Sequence, residues 1–179
     1  MKAKNQQTVK VVDQNHPMRQ IKIEKILLSA GAVDKELQKS KKLIEIVSAM
    51  KAQLVSSSKR IPDFGVSPGM EVGTRVTIRG KKGVELLRRL LGAIDNILKK
   101  KQVSQNHFSF GIHEYIDIPG MEYQRDIGIK GFNVTVVFVR PGFRTKRKKI
   151  KSGNIPKRQF VSQEEIIKYM GENFNTKFK

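Results

Sequence analysis

The first apolar run, Ile21, Ile23, Ile26, Leu27 and Leu28, is mostly β-branched and closes on Ser29-Ala30-Gly31-Ala32, which predicts a strand over 20–28 ending in a tight turn. Asp34 then stands where an N-cap is expected. Beyond it Leu37, Leu43, Ile44, Val47 and Met50 follow helical spacing while Lys39, Lys41 and Lys42 fall off that face, so an amphipathic helix is predicted over about 34–50. A weaker strand signal lies at 53–57.

The stretch 60–73 holds Pro62, Gly65, Pro68, Gly69 and Gly73, too many breakers for a regular element, and predicts a long loop between two strands. Val72, Thr74, Val76 and Ile78 then alternate with Gly73, Arg75, Thr77 and Arg79, giving a strand with one apolar side and one side carrying arginines. Gly80 ends it. Val84, Leu87, Leu90, Leu91, Ile94, Ile97 and Leu98 follow helical spacing, with Lys81, Lys82, Arg88, Arg89, Lys99, Lys100 and Lys101 left polar. Phe108, Phe110, Ile112 and Ile116 alternate as a further strand, and 133–140, apolar on both faces, reads as a central strand covered on each side. An irregular connection, 117–131, joins them. Ser162-Gln163-Glu164-Glu165 is a capping box opening a last helix through Ile166, Ile167 and Tyr169. The predicted order is β-α-β-β-α-β-β-α, an α+β sandwich without repeats.

Charge then narrows the function. Thirty-six Lys plus Arg stand against 16 Asp plus Glu, a formal net charge of +20 in 179 residues. Self-repulsion on that scale is relieved by a polyanion, so nucleic acid is the first partner to consider. At 38% hydrophobic the chain still has a core to build, unlike a disordered basic tail. The lack of cysteine excludes a disulfide scaffold, zinc-ribbon and iron–sulfur ligation and thiol catalysis, and suits a reducing compartment. The longest apolar runs fall far short of the roughly 20 residues that span a bilayer, so no membrane partner is expected. The segment 144–158 supplies Arg144, Lys146, Arg147, Lys148, Lys149, Lys151, Lys157 and Arg158 with no acid, which predicts a stretch that orders only against RNA phosphates. The expected organisation is a polar N-terminal arm over 1–14, an α+β RNA-binding domain over 15–143, and a basic extension with a C-terminal helix over 144–179.

Three constellations invite a sharper reading. His113, Glu114 and Asp117, with Glu122 and Asp126, suggest a metal-dependent nuclease; in the predicted strand register His113, Tyr115 and Asp117 share one face, Glu114 points away, and no second acidic strand converges on them. Gly80-Lys81-Lys82-Gly83 offers backbone amides at a helix start but lacks the spacer and the hydroxyl of a P-loop. Lys130-Gly131-Phe132-Asn133-Val134 is similar to the opening of the aromatic box of RNA-recognition motifs, yet Val134 and Val137 occupy its later aromatic positions, which leaves Phe132 to the core. A non-ribosomal RNA-recognition-like regulatory protein is the alternative this leaves open.

Ordered matches along nearly the whole chain also carry a family resemblance. Asn15-His16-Pro17-Met18-Arg19, Ile23-Glu24-Lys25, Asp63-Phe64-Gly65-Val66, Gly73 through Val76-Thr77-Ile78-Arg79-Gly80-Lys81, Phe108-Ser109-Phe110-Gly111-Ile112, Ile116-Asp117-Ile118-Pro119-Gly120 and Arg140-Pro141-Gly142-Phe143 resemble the successive signatures of the universal large-subunit ribosomal protein five family. Its archaeal and eukaryotic branch is indicated by Asp117-Ile118-Pro119-Gly120, the basic run after Arg140-Pro141-Gly142 and the last capping box. The chain departs from the family at Ser29-Ala30-Gly31-Ala32, where Asn followed by Gly-Val-Gly is usual, at 49–54, and in the thinned basic run 56–60.

The resemblance implies a structural constituent of the large subunit, without enzymatic activity or cofactor, on cytoplasmic ribosomes. It implies helices packed on one face of an antiparallel sheet, whose other face and the turn after the first strand bind 5S rRNA in the central protuberance, beside large-subunit rRNA and neighbouring ribosomal proteins. The rRNA-binding residues on this reading are Lys25, Ser29, Gly31, Lys59, Arg75, Thr77, Arg79, Lys81 and Lys82, with Arg144, Lys146, Arg147, Lys148, Lys149 and Lys151 from the basic run. Peptidyl-site tRNA is contacted by the long loop, through Pro62, Asp63, Phe64, Gly65, Val66, Ser67, Pro68 and Gly69.

Overall fold

A computed structural model describes residues 16–179; the arm expected over 1–14 lies outside them. His16 opens this region, its Nδ1 accepting the Met18 N–H to cap a single turn, Pro17–Arg19. The elements that follow are β1 (Lys22–Gly31), α1 (Asp34–Ser48), β2 (Gln53–Ser56), β3 (Glu71–Ile78), α2 (Lys81–Gly92), β4 (Ile97–Leu98), β5 (Val103–Ser104), β6 (His107–Ile112), β7 (Phe132–Val139), α3 (Arg144–Arg147), α4 (Gln163–Phe174) and β8 (Lys177–Phe178).

Six strands make one sheet in the order β2-β3-β1-β7-β6-β5, and every pairing in it is antiparallel. β4 and β8 form a separate parallel pair. β1 is paired on both sides, so Ile26 stands opposite Ile78 and Val136, and Leu28 opposite Val76 and Val134. Because side chains alternate with a period of two, these residues share a face with Phe108, Phe110 and Phe138. That face meets Leu43, Ile44 and Val47 of α1, Leu86, Leu87, Leu90 and Leu91 of α2, and Ile166 and Met170 of α4 in one core. The fold is therefore α+β with helices on one face of an antiparallel sheet, as predicted. Val161 and α4 belong to that same core, so the boundary at 143/144 does not separate two hydrophobic units.

Several boundaries move, each for a local reason. β1 runs through Ser29, Ala30 and Gly31 because they pair with Arg75, Thr74 and Gly73; the tight turn expected there is strand. Asp34 is the first helical residue, with a φ of 52°, and Val33 before it supplies no side-chain cap. α2 stops at Gly92, and Ile97 and Leu98 leave the helix to pair with Lys177 and Phe178. The strand expected through Ile116 ends at Ile112, and Tyr115–Asp117 is a single 3-10 turn. That removes the strand register on which the nuclease reading was weighed. β7 is buried on one face only: Phe132, Val134, Val136 and Phe138 are covered, whereas Asn133 is exposed and Thr135, Val137 and Val139 are half-buried. The capping box holds as predicted, with Ser162 Oγ accepting the Glu165 N–H and Glu165 accepting the Ser162 N–H.

Candidate nucleic-acid interface

With every long helix on one side, the other face of the sheet is left to short and polar side chains. Pairing aligns them in rows. Across the middle run Gln53, Arg75, Ser29, Asn133 and Gly111; beside them lie Thr77, Leu27, Thr135 and Ser109, and then Lys25, Val137 and His107. Arg75 Nε donates to Gln53 Oε1 at 3.3 Å, and the hydroxyls of Ser109 and Thr135 are 3.0 Å apart. Neither Lys25 nor Arg75 has a carboxylate partner among the described residues. The rows carry amides, hydroxyls, two unpaired cations and a glycine, with no Phe, Tyr or Trp in them.

Some residues predicted from sequence gather here and others do not. Lys25, Ser29, Arg75 and Thr77 lie on this face in adjacent rows, and Gly31, exposed, sits opposite Gly73 at its edge. Arg79 is exposed just past β3. Lys81 and Lys82 are the first residues of α2 and so stand on the helical side. Lys59 is exposed at the start of the long loop. Sequence reasoning missed Gln53, Asn133, Thr135, Ser109 and His107. The signal was there in the alternation of 132–139, where polar Asn133 and Thr135 interrupt apolar neighbours.

The long loop is braced at both ends. Ser57 N–H donates to the Met70 carbonyl and Gly69 N–H to the Ser57 carbonyl, each at 2.8 Å, while Ile61 and Val66 bridge across its tip. Pro62, Asp63 and Phe64 form one 3-10 turn, and Gly65 reverses the chain at a φ of 63°, a conformation glycine adopts without cost. Val66 is buried and supports the loop from inside, whereas Phe64 is 73% exposed. Pro62, Asp63, Gly65, Ser67, Pro68 and Gly69 are exposed around it.

The basic segment has more local order than its composition predicts. Arg144, Lys146 and Arg147 form a single helical turn, α3, with Lys146 and Arg147 stacked over the Phe143 ring at 5.9 and 5.5 Å. Arg147 pairs with Glu24 of β1, which is mostly buried, and Gly153 N–H closes back on the Thr145 carbonyl. A carboxylate from a distant strand thus does part of what RNA was expected to do. Lys148, Lys149 and Lys151 are exposed and have no ion-pair partner among the described residues. At the root of the segment buried Arg140 donates to the Arg158 carbonyl at 2.9 Å and to Glu165 at 2.5 Å, tying β7 to α4. Elsewhere, Lys130 holds the Glu36 carboxyl below its ordinary pKa, with help from Lys39. No group of three or more His, Cys, Asp or Glu side chains is placed to hold a metal among the described residues.

Comparison with known proteins gives this surface a context. Residues 71–169 match the model for the C-terminus of the ribosomal protein uL5 family, a span that includes β3, β6, β7 and most of α4. The chain is 37% identical over 164 residues to the large ribosomal subunit protein uL5 of Sulfurisphaera tokodaii, covering 89% of this chain and 93% of that protein. The protein of the same description from Nanoarchaeum equitans is 36% identical over 160 residues, covering 88% and 95%. That from Sulfolobus acidocaldarius is 37% identical over 161 residues, covering 88% and 90%. A basic α+β protein with one uncovered sheet face, matched along nearly its full length, belongs to the ribosomal protein uL5 family.

Proposed function

We propose that this protein, a structural and non-enzymatic constituent of the large ribosomal subunit in the cytoplasm, docks on 5S rRNA through the open face of its sheet. The observation that carries the reading is that face itself, polar and glycine-containing, set back to back with an apolar core face. The deep, narrow major groove of paired RNA is closed to side chains, so proteins read its shape, phosphates and 2′-hydroxyls from a firm surface. Ser29, Thr77, Ser109, Thr135, Asn133 and Gln53 offer donors and acceptors for hydroxyls, Lys25 and Arg75 offer charge for phosphates, and Gly31 and Gly111 allow close backbone approach. Lys148, Lys149 and Lys151 add phosphate contacts from the side of β1 where Arg147 is anchored. An RNA-recognition-like module would need aromatic rings on this face for base stacking; Phe108, Phe110, Phe132 and Phe138 all face the core.

The braced loop over 60–73 is the second working part. It projects the Phe64 ring and a glycine-rich backbone with little charge, a surface suited to brief contact with peptidyl-site tRNA rather than permanent seating on rRNA. The experiment is a titration of 5S rRNA with the protein at 50 and 200 mM salt. Contacts to about 6–10 phosphates cost roughly three to five decades of affinity over that range. A nearly flat salt response would reject the open face as an RNA platform.

A further inference from the structure

The C-terminal ends of α2 and α4 meet at a cleft of about 350 Å³ lined by Arg88, Leu91, Asn96, Asn173, Phe174 and Asn175. It lies on the helical side, away from the open sheet face. Arg88 is exposed, with its guanidinium carbon 5.9 Å from the centre of the Phe174 ring, and Leu91 is fully buried. Asn96 and Asn175 both have left-handed backbone, at φ values of 57° and 53°. Their main chains are occupied: Asn96 N–H donates to the Leu91 carbonyl, the Asn96 carbonyl accepts the Lys177 N–H, and Asn175 N–H donates to the Met170 carbonyl. Among the described residues neither side-chain amide makes a hydrogen bond, and Asn173 donates to the Tyr169 carbonyl, leaving its side-chain oxygen without a donor.

Asparagine tolerates left-handed backbone, which accounts for such a residue at the end of a helix. It does not account for three amides, a planar cation and an aromatic ring meeting at one opening. Each amide presents a donor and an acceptor side by side, matching the edge of a nucleobase. Guanidinium planes and aromatic rings are the surfaces on which unstacked bases rest. Exposed Arg89, Lys99, Lys100, Lys101 and Lys177 flank the cleft in sequence, against the acids Asp95 and Glu172. A duplex is far too wide for the space. Resting on the ribosomal reading above, we infer that this cleft binds a single unpaired nucleotide of ribosomal RNA, with its base against Arg88 and Phe174 and its edge read by the asparagines.

The test uses the full-length, ¹⁵N-labelled protein titrated with single-stranded hexaribonucleotides of each of the four bases, following the side-chain amide resonances of Asn96, Asn173 and Asn175. Arg88→Lys keeps the charge and removes the plane; Asn96→Gly with Asn175→Gly removes two amides and keeps left-handed backbone accessible. At least one oligonucleotide should move the amide resonances, and each variant should bind it about 5- to 100-fold more weakly, the range expected for losing one stacked base. Circular dichroism should be unchanged, and 5S rRNA affinity should match the parent's. Amide resonances that stay still with all four oligonucleotides would overturn the site. So would glycine variants of parental affinity whose binding responds to salt alone. Variants that lose 5S rRNA and oligonucleotide binding together would show one surface where two are argued, whereas a parent protein that takes up the oligonucleotide but not 5S rRNA would reject the platform and leave the cleft supported.

Discussion

Replacing Arg75 tests the open face at its centre. The side chain projects from β3 between Gln53 and Ser29, and its single intramolecular hydrogen bond is the 3.3 Å contact to Gln53. Because Arg75 is exposed and has no ion-pair partner among the described residues, Arg75→Ala should change folding stability by no more than about 0.5 kcal/mol, the usual range for surface substitutions. Its effect on RNA should be much larger. A charge-assisted hydrogen bond to phosphate contributes about 1.5–3 kcal/mol, which is about 10- to 150-fold in affinity. Loss of one phosphate contact should also reduce the slope of log affinity against log salt by about 0.7–0.9. Arg75→Lys separates charge from geometry: it should keep the slope and recover only part of the affinity, since an ammonium cannot make the planar two-pronged contact. The assay is equilibrium binding to 5S rRNA at four or more salt concentrations, with urea unfolding of each variant alongside. Unchanged affinity and slope in a folded Arg75→Ala protein would move the RNA surface elsewhere. A stability loss of several kcal/mol would show that the side chain is structural.

Replacing 64–69 with a short glycine-serine linker should leave folding and 5S rRNA binding intact, because loop closure costs grow only slowly with length, while crosslinking to peptidyl-site tRNA on assembled subunits disappears; an intact crosslink would refute the loop's role. Gly131→Ala should destabilise the fold by about 1–3 kcal/mol or more in urea unfolding, since a Cβ there would strike the carbonyl oxygens of Ile112 and His113, backbone atoms that cannot rotate away. Leu87→Ala, which empties a fully buried position of α2, should cost about 2–5 kcal/mol by the same measurement. Glu36 has its folded pKa lowered by Lys130 and then Lys39, so the stability it contributes is present above the unfolded carboxylate value and is lost as pH falls through the folded one. Urea unfolding between about pH 5 and 3 should therefore show the parent losing stability faster than Glu36→Gln, with parallel curves as the refuting result.

The fold class was legible because the alternation in 72–79 and 132–139 and the helical stripes in 34–48 and 81–92 are strong local signals. Boundaries were lost where a distant partner decides them. Nothing near Ser29-Ala30-Gly31 says strand; Arg75, Thr74 and Gly73 say it from β3. Ile97 and Leu98 continue the helical spacing, and their strand comes from pairing with Lys177 and Phe178 at the other end of the chain. The candidate site was half legible for the same reason. Cations stand out in a sequence, so Lys25 and Arg75 were found; Asn133, Thr135 and Ser109 acquire meaning only once register places them beside Ser29 and Leu27. Lys81 and Lys82 show the opposite failure, since proximity in sequence to Arg79 put them with a face that Gly80 turns away from.

The central position of β1 also sets a timetable for synthesis. Leu28 must find Val76 on one side and Val134 on the other, so the strand made first is completed by nearly the last one made. Until β7 emerges, one edge of β1 is an unpaired, β-branched template in a chain that already carries α1, β3 and α2. Contacts so remote in sequence form slowly, and exposed apolar edges draw other chains while they wait. A nascent chain of this architecture gains from anything that shields β1 during that interval, and the interval closes only when Val139 has been added.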